Sequence, residues 1–216
     1  MFTFWGDGCD GARELVDQIR VRSTENFNWT FIFILAVVFY VYWDNIQKKD
    51  YKVIAAGLAT YGVHWLYEIA NAVIAHIWGY PLWSVSNQST TFILLIGVCW
   101  ELSMMFSLSG MICYKMLPED KKTKYFGLDC KLVGAISMAL LFALFESFLA
   151  ATSNHSFIWV YKWWGVIPVF FTTYIPFFLA SNYINELPDK KKWRVLAILW
   201  ATVALLLIVL IPAGII

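Results

Sequence analysis

Charge is scarce in this sequence. Only 14% of its 216 residues are Asp, Glu, Lys or Arg, against about 25% in an average soluble domain. The net charge is +1, and lysines gather only in short connecting segments, so no basic surface is on offer to nucleic acid. Cysteine is equally thin. Cys9, Cys99, Cys113 and Cys130 form no CxxC pair and no metal-type spacing, which leaves neither a disulfide framework nor a zinc site to expect. Cys99 and Cys113 fall in an apolar stretch, where a thiol behaves as a small hydrophobe. The first 26 residues carry too much charge to hold the apolar core of a cleavable signal peptide. No internal repeat stands out, which argues against an inverted-repeat carrier.

What the chain has in excess is apolar surface. Hydrophobic residues make up 60% of it and the mean hydropathy is +0.63. They sit in blocks long enough to cross a hydrocarbon core at about 1.5 Å per residue. Six spans can be drawn, at Asn28–Trp43, Val53–Trp78, Thr91–Cys113, Leu132–Ala151, Trp164–Tyr183 and Val195–Ile215. The connections alternate in charge. Residues 44–52, 115–131 and 185–194 are lysine-rich, residues 79–90 have no charge, and residues 152–163 carry only Lys162. Short basic loops stay in the cytoplasm, so this pattern predicts an all-α, multi-pass membrane bundle of about six helices with both termini outside. Residues 1–26 form an extracytoplasmic segment, read either as a mobile tail or as carrying a short interfacial helix within Asp10–Arg22, and residues 27–216 form the transmembrane domain. Trp29, Trp43, Trp78, Trp83, Trp163, Trp164 and Trp193 lie near span ends, where tryptophan anchors a helix in the interface. Sequons begin at Asn28, Asn87 and Asn154.

Polar residues inside the spans interrupt this picture. Gly57, Tyr61, His64, Glu68 and Asn71 are spaced by three and four and share one helix face, with Trp65 beside it. Such a stripe must point at other helices or at water. Trp100 and Glu101 fall in the third span and Glu146 in the fourth, the latter amid Ala135, Ala139, Ala143 and Ala150, small residues that let helices approach closely. Thr172, Thr173 and Tyr174 lie between Pro168 and Pro176, which are expected to kink the fifth span. An acidic residue near a helix centre costs about 2.5–3.5 kcal/mol to insert, and three cost roughly 8–10 kcal/mol. That expense makes Glu68, Glu101 and Glu146 a candidate cluster, read as lining one cavity in the outer half of the bilayer. The competing reading is structural, with each glutamate protonated and bonding between helices.

Paired carboxyls in an apolar chamber can work as acid and base. His64, four residues before Glu68, can orient the carboxyl or pass it a proton. Tyr61, Trp65, Trp100 and Tyr174 offer π faces that favour cationic species. The His64-x-x-x-Glu68 face followed by Glu101 resembles the acid–base set of emopamil-binding-type sterol isomerases. Trp100-Glu101 is also similar to the Trp-Glu of small membrane-bound terpene cyclases. The likeness covers the second and third spans only, and neither family supplies a counterpart of Glu146. It implies Glu68 and Glu101 as proton donor and acceptor, His64 orienting them, and an isomerase, cyclase or hydratase of a lipid-soluble isoprenoid or sterol-like substrate. Glu146, Asn71, Tyr61, Trp100, Trp65 and Tyr174 then contact the substrate, and no cofactor is called for. Membrane lipid and a lipophilic small molecule are the expected partners, and an oligomer or a larger complex is compatible.

Two other classes stay open at the level of sequence. A proton-coupled carrier or substrate-capturing membrane subunit would use the same acids to bind a cation, and a non-catalytic subunit of a membrane complex would use them against partner helices. His64, Glu68, Glu101 and Glu146 are also metal-competent side chains, but no second histidine stands at helical spacing such as Glu-x-x-His, so no metal is assigned.

Overall fold

The computed structural model describes residues 11–25, 27, 29, 31–87, 92–151 and 156–216. Cys9, His155 and the sequons that begin at Asn28 and Asn154 lie outside the described residues. The helices are α1 (Ala12–Asp17), α2 (Phe31–Gln47), α3 (Tyr51–Trp78), α4 (Trp100–Lys115), α5 (Cys130–Ala151), α6 (Val166–Val169), α7 (Ile175–Tyr183) and α8 (Asp189–Leu210). A π-helical turn, Phe170–Tyr174, joins α6 to α7, so Val166–Glu186 runs as one rod.

Among the described residues, three helices are long and apolar enough to cross a membrane: Cys130–Ala151, Val166–Glu186 and Asp189–Leu210. The others differ for identifiable reasons. Helix α2 is apolar but has 17 residues. Helix α3 has 28 residues, about 42 Å at the usual rise, but the polar stripe lowers its hydropathy. Helix α4 has only 16 residues.

The third span departs from expectation. In place of a helix from Thr91 to Cys113, β2 (Ile93–Leu95) and β3 (Val98–Cys99) form a tight antiparallel hairpin, and α4 begins only at Trp100. A short apolar run such as Ile93–Val98 reads alike as buried strand or helix. Further strands cover the same end of the bundle: β1 (Trp83–Val85) pairs antiparallel with β6 (Phe157–Trp159), placing Trp83 opposite Trp159. A third ribbon, β4 (Lys124–Tyr125) with β5 (Leu128–Asp129), sits in the lysine-rich loop. The bundle is thus predominantly but not purely helical.

An arrangement absent from the sequence pattern also recurs. Helix α3 leads into β1 and helix α5 into β6; each helix carries a buried glutamate, and each strand carries a tryptophan whose indole donates to that glutamate. The repeat is structural, and its two halves meet through the β1–β6 pairing.

Contacts at the helix ends gather the lysine-rich segments at one end of the bundle. Asn185 Nδ2 donates to the Lys52 carbonyl at 2.9 Å, and Lys131 Nζ lies 3.2 Å from Glu186 Oε1. At the opposite end, α1 buries Ala12 and Val16 against Ile158 and Val160. Within Asp10–Arg22 a helix spans six residues, with its apolar face packed on β6. Arg22 ties the same layer to the C-terminus, donating from Nη2 to the Ile216 carbonyl at 3.2 Å.

Local chemistry sets the helix ends. Asp50 caps α3 by accepting from the Val53 amide, and Gly79, at φ 86°, closes it. Asp129 precedes α5 and accepts from the Lys131 amide at 2.8 Å. That backbone bond, ahead of the nearby ammonium, holds the Asp129 carboxyl below its ordinary value. A depressed carboxyl stabilises the fold above its unfolded pKa and loses that contribution as pH falls through the folded value. Asp129→Ala is therefore expected to cost about 1 kcal/mol at neutral pH, with the deficit disappearing in acid below about pH 4. Thermal unfolding in detergent across that range checks it.

Helices α3 and α4 pack backbone to backbone. A Cβ on Gly110 would stand 2.5 Å from Thr60 Oγ1 and 2.7 Å from the Ala56 carbonyl. Gly110→Ala is expected to destabilise by about 1–3 kcal/mol, the usual cost of overpacking, read as a lower denaturation temperature.

Candidate intramembrane acid site

The polar stripe of α3 is turned inward. His64 is 1% exposed, Glu68 5% and Asn71 1%. Asn71 shapes the site without facing its cavity. Its Oδ1 accepts from the Leu82 amide at 2.8 Å and its Nδ2 donates to the Trp83 carbonyl at 2.9 Å. This clamp returns the chain beneath the end of α3, so that Trp83 Nε1 meets Glu68 Oε1 and Oε2 at 3.2 and 3.3 Å. His64 Nε2 lies 3.4 Å from Glu68 Oε1, one helical turn away. The hairpin between β2 and β3 closes the other side, where Gly97 is pressed against Glu68, Asn71 and Trp83.

The second half of the site comes from α5 and the π turn. Glu146 is 7% exposed. It accepts from Trp159 Nε1 at 2.7 Å, and its other oxygen accepts from the Tyr174 hydroxyl. Glu68 and Glu146 line one cavity of about 30 Å³, walled by Phe106, Phe142, Leu149, Trp164 and Phe177. A space of that size accommodates roughly one water molecule. The His64 ring stacks on Phe106 with centroids 4.2 Å apart, and Phe106 stacks in turn on Tyr174 at 6.2 Å.

The structure thus brings together Glu68, Glu146, His64 and Tyr174. It does not bring Glu101 to them. Glu101 is half-buried in the first turn of α4, beside Cys99. Leu102, Met105 and Phe106 are the α4 residues that reach the cavity, and Glu101 is not among its lining residues. The proposed three-carboxylate cluster becomes a two-carboxylate one. Tyr61 and Trp100 also lie elsewhere, with Trp200, on a separate apolar cavity of about 570 Å³ between α2, α3, α4 and α8. There the Tyr61 hydroxyl pairs with Ser103 Oγ at 2.7 Å. Trp65 packs against the apolar cluster of Ile69, Leu95 and Val203.

Several tryptophans read as interfacial anchors divide into two groups. Trp29, Trp43, Trp78, Trp163 and Trp193 are exposed, whereas Trp83 and Trp164 are buried at 6% and 5% and stack on each other 5.4 Å apart over the cavity. Trp83, Trp159, Trp164 and Thr173 are the site residues that sequence reasoning missed. Only the recurrence of a tryptophan 15 residues after Glu68 and 13 after Glu146 could have pointed to Trp83 and Trp159, and unequal spacing hides such a repeat. Among the described residues, no three His, Cys, Asp or Glu side chains converge as a metal's ligands would.

Comparison with known proteins places the chain at this point. Residues 12–212 match a family described as an uncharacterized membrane protein family. The chain belongs to this membrane protein family. The matched region begins at α1 and takes in every helix, both halves of the acid site included. An uncharacterized protein of Archaeoglobus fulgidus is 34% identical over 175 residues, covering 80% of this chain and 82% of the relative. No solved structure matches the chain. Family membership and the three apolar helices together make this an integral membrane protein.

Proposed function

We propose that the protein is a multi-pass membrane enzyme that uses Glu68 and Glu146 as an acid–base pair on a lipid-soluble isoprenoid or sterol-like substrate. One observation carries the reading: two buried carboxyls, each held by a tryptophan indole, open on the same aromatic-walled cavity. In the reaction this fits best, one carboxyl adds a proton to a carbon–carbon double bond and the other removes one from an adjacent carbon or from water. His64 is a positioning residue for Glu68. The likeness to emopamil-binding-type isomerases and small terpene cyclases supports the same chemistry, with Glu146 taking the part first given to Glu101. The lysine-rich end of the bundle faces the cytoplasm, about six crossings put both termini outside, and the acid site lies nearer the outer leaflet.

A second reading is proton-coupled transport of a small solute. It is favoured by the π turn between Pro168 and Pro176, which borders the cavity through Thr173 and Tyr174, because such turns accompany functional sites and adjust in membranes. The two separate on cell lipids. Extracts of cells producing the wild-type protein, Glu68→Gln or Glu146→Gln are compared by mass spectrometry. Catalysis predicts an isoprenoid product that both variants lose; an unchanged profile in all three contradicts it.

A further inference from the structure

The walls of the acid cavity hold polar groups that the protein itself does not satisfy. Trp164 Nε1 and Thr173 Oγ1 are both buried without a hydrogen-bond partner among the described residues, and both residues line the cavity. They are 5% and 7% exposed. Leaving such a group unpaired costs about 1–3 kcal/mol. Thr173 is the more telling of the two. Its neighbour Thr172 donates back to the Pro168 carbonyl at 2.6 Å, the common resting place of a helical threonine hydroxyl. In the π turn Thr173 makes no such bond and lies beside Tyr174 on the cavity.

The chemistry of these groups restricts what they hold. An indole N–H only donates, so the occupant must accept. Glu68 and Glu146 keep acceptor capacity beyond their bonds to Trp83, Trp159 and Tyr174, so an occupant that also donates is bound at both ends. An ammonium cannot accept and a ketone cannot donate. A hydroxyl does both, and about 30 Å³ seats one oxygen, with the carbon chain of a larger molecule entering from the open side of the cavity.

We infer that the cavity binds a single hydroxyl group, that of a water molecule or of a lipid alcohol, held by Trp164 Nε1 and Thr173 Oγ1 against the Glu68–Glu146 pair. This rests on the proposed acid–base reading and specifies its substrate: a hydration or dehydration, or a reaction of a prenol-type alcohol. Trp164 and Thr173 are the residues that place the oxygen.

The test is a high-resolution cryo-EM structure in nanodiscs of alcohol-free phospholipid, without and with added geranylgeraniol. An isolated density within hydrogen-bond reach of Trp164 Nε1 and Thr173 Oγ1 in both samples identifies water; density continuous with the prenyl chain in the second identifies the lipid alcohol. An empty cavity, or one filled by an acyl tail, overturns the inference. In parallel, binding of geranylgeraniol is compared with that of its hydrocarbon analogue lacking the hydroxyl. If the lipid alcohol is the occupant, the hydroxyl strengthens binding about tenfold, and Thr173→Val, isosteric and expected to fold, or Trp164→Phe removes that advantage. If water is the occupant, both variants lose the isolated density instead; density that persists in Thr173→Val overturns the assignment. Oxygen density with lipid profiles unaffected by Glu68→Gln and Glu146→Gln would sink the enzyme reading alone, and the converse result would sink this inference alone.

Discussion

Gly97→Val is expected to abolish the folded protein, and Gly97→Ala to weaken it sharply. A Cβ at this position would fall 2.6 Å from both Asn71 Nδ2 and Trp83 Nε1 and collide with Glu68 Oε2. None of the three can retreat freely. Asn71 is held by the turn it clamps, Trp83 by its stacking on Trp164 and its pairing opposite Trp159, and Glu68 by the indole. Overpacking of a filled core costs about 1–3 kcal/mol, and here it also breaks hydrogen bonds to a buried carboxyl, worth about 1.5–3 kcal/mol. Thermal denaturation in detergent reads the loss. Adding Trp83→Phe, which removes the nearest indole atoms, should recover part of the packing cost in Gly97→Ala. An unchanged melting temperature for Gly97→Ala would show that the hairpin does not press on Glu68.

Glu68→Gln and Glu146→Gln are each expected to lower turnover about 100- to 10,000-fold, the usual worth of general acid–base catalysis. Groups that act as a unit are not additive, so the double variant should be hardly slower than either single one. Glu101→Gln should retain activity within a few-fold. The variants preserve shape, and Gln can still accept from Trp83 or Trp159, so folding should survive. His64→Gln is expected to lose less, because His64 lies 3.4 Å from Glu68 and acts through that carboxyl.

The membrane character and most helices were legible in the sequence because long apolar runs have few physical solutions. The α3 stripe was legible for the same reason, since a three-and-four spacing fixes a shared face before any packing is known. Glu101 misled because its depth was argued from a helix that starts at Thr91. Once Ile93–Cys99 folds as a hairpin, the rotation of α4 is set anew from Trp100. Glu146 was singled out by its insertion cost and read as sharing a cavity with Glu68, but the strands that join the two halves were not foreseen. Their contact depends on β1 pairing with β6, 76 residues apart at Trp83 and Trp159, between segments that read as plain loops. The buried tryptophans were hidden by their own statistics, because indoles near span ends usually face the interface.

The central claim is that Glu68 and Glu146, without Glu101, share one site, and infrared spectroscopy of the carboxyl carbonyl stretch tests it without knowledge of the substrate. Spectra of the purified protein in nanodiscs are compared for wild type, Glu68→Gln, Glu146→Gln and Glu101→Gln. The account predicts that removing either member of the pair shifts the band of the other, and that Glu101→Gln removes its own band and leaves both unmoved. A Glu68 band that responds to Glu101→Gln but not to Glu146→Gln would contradict it.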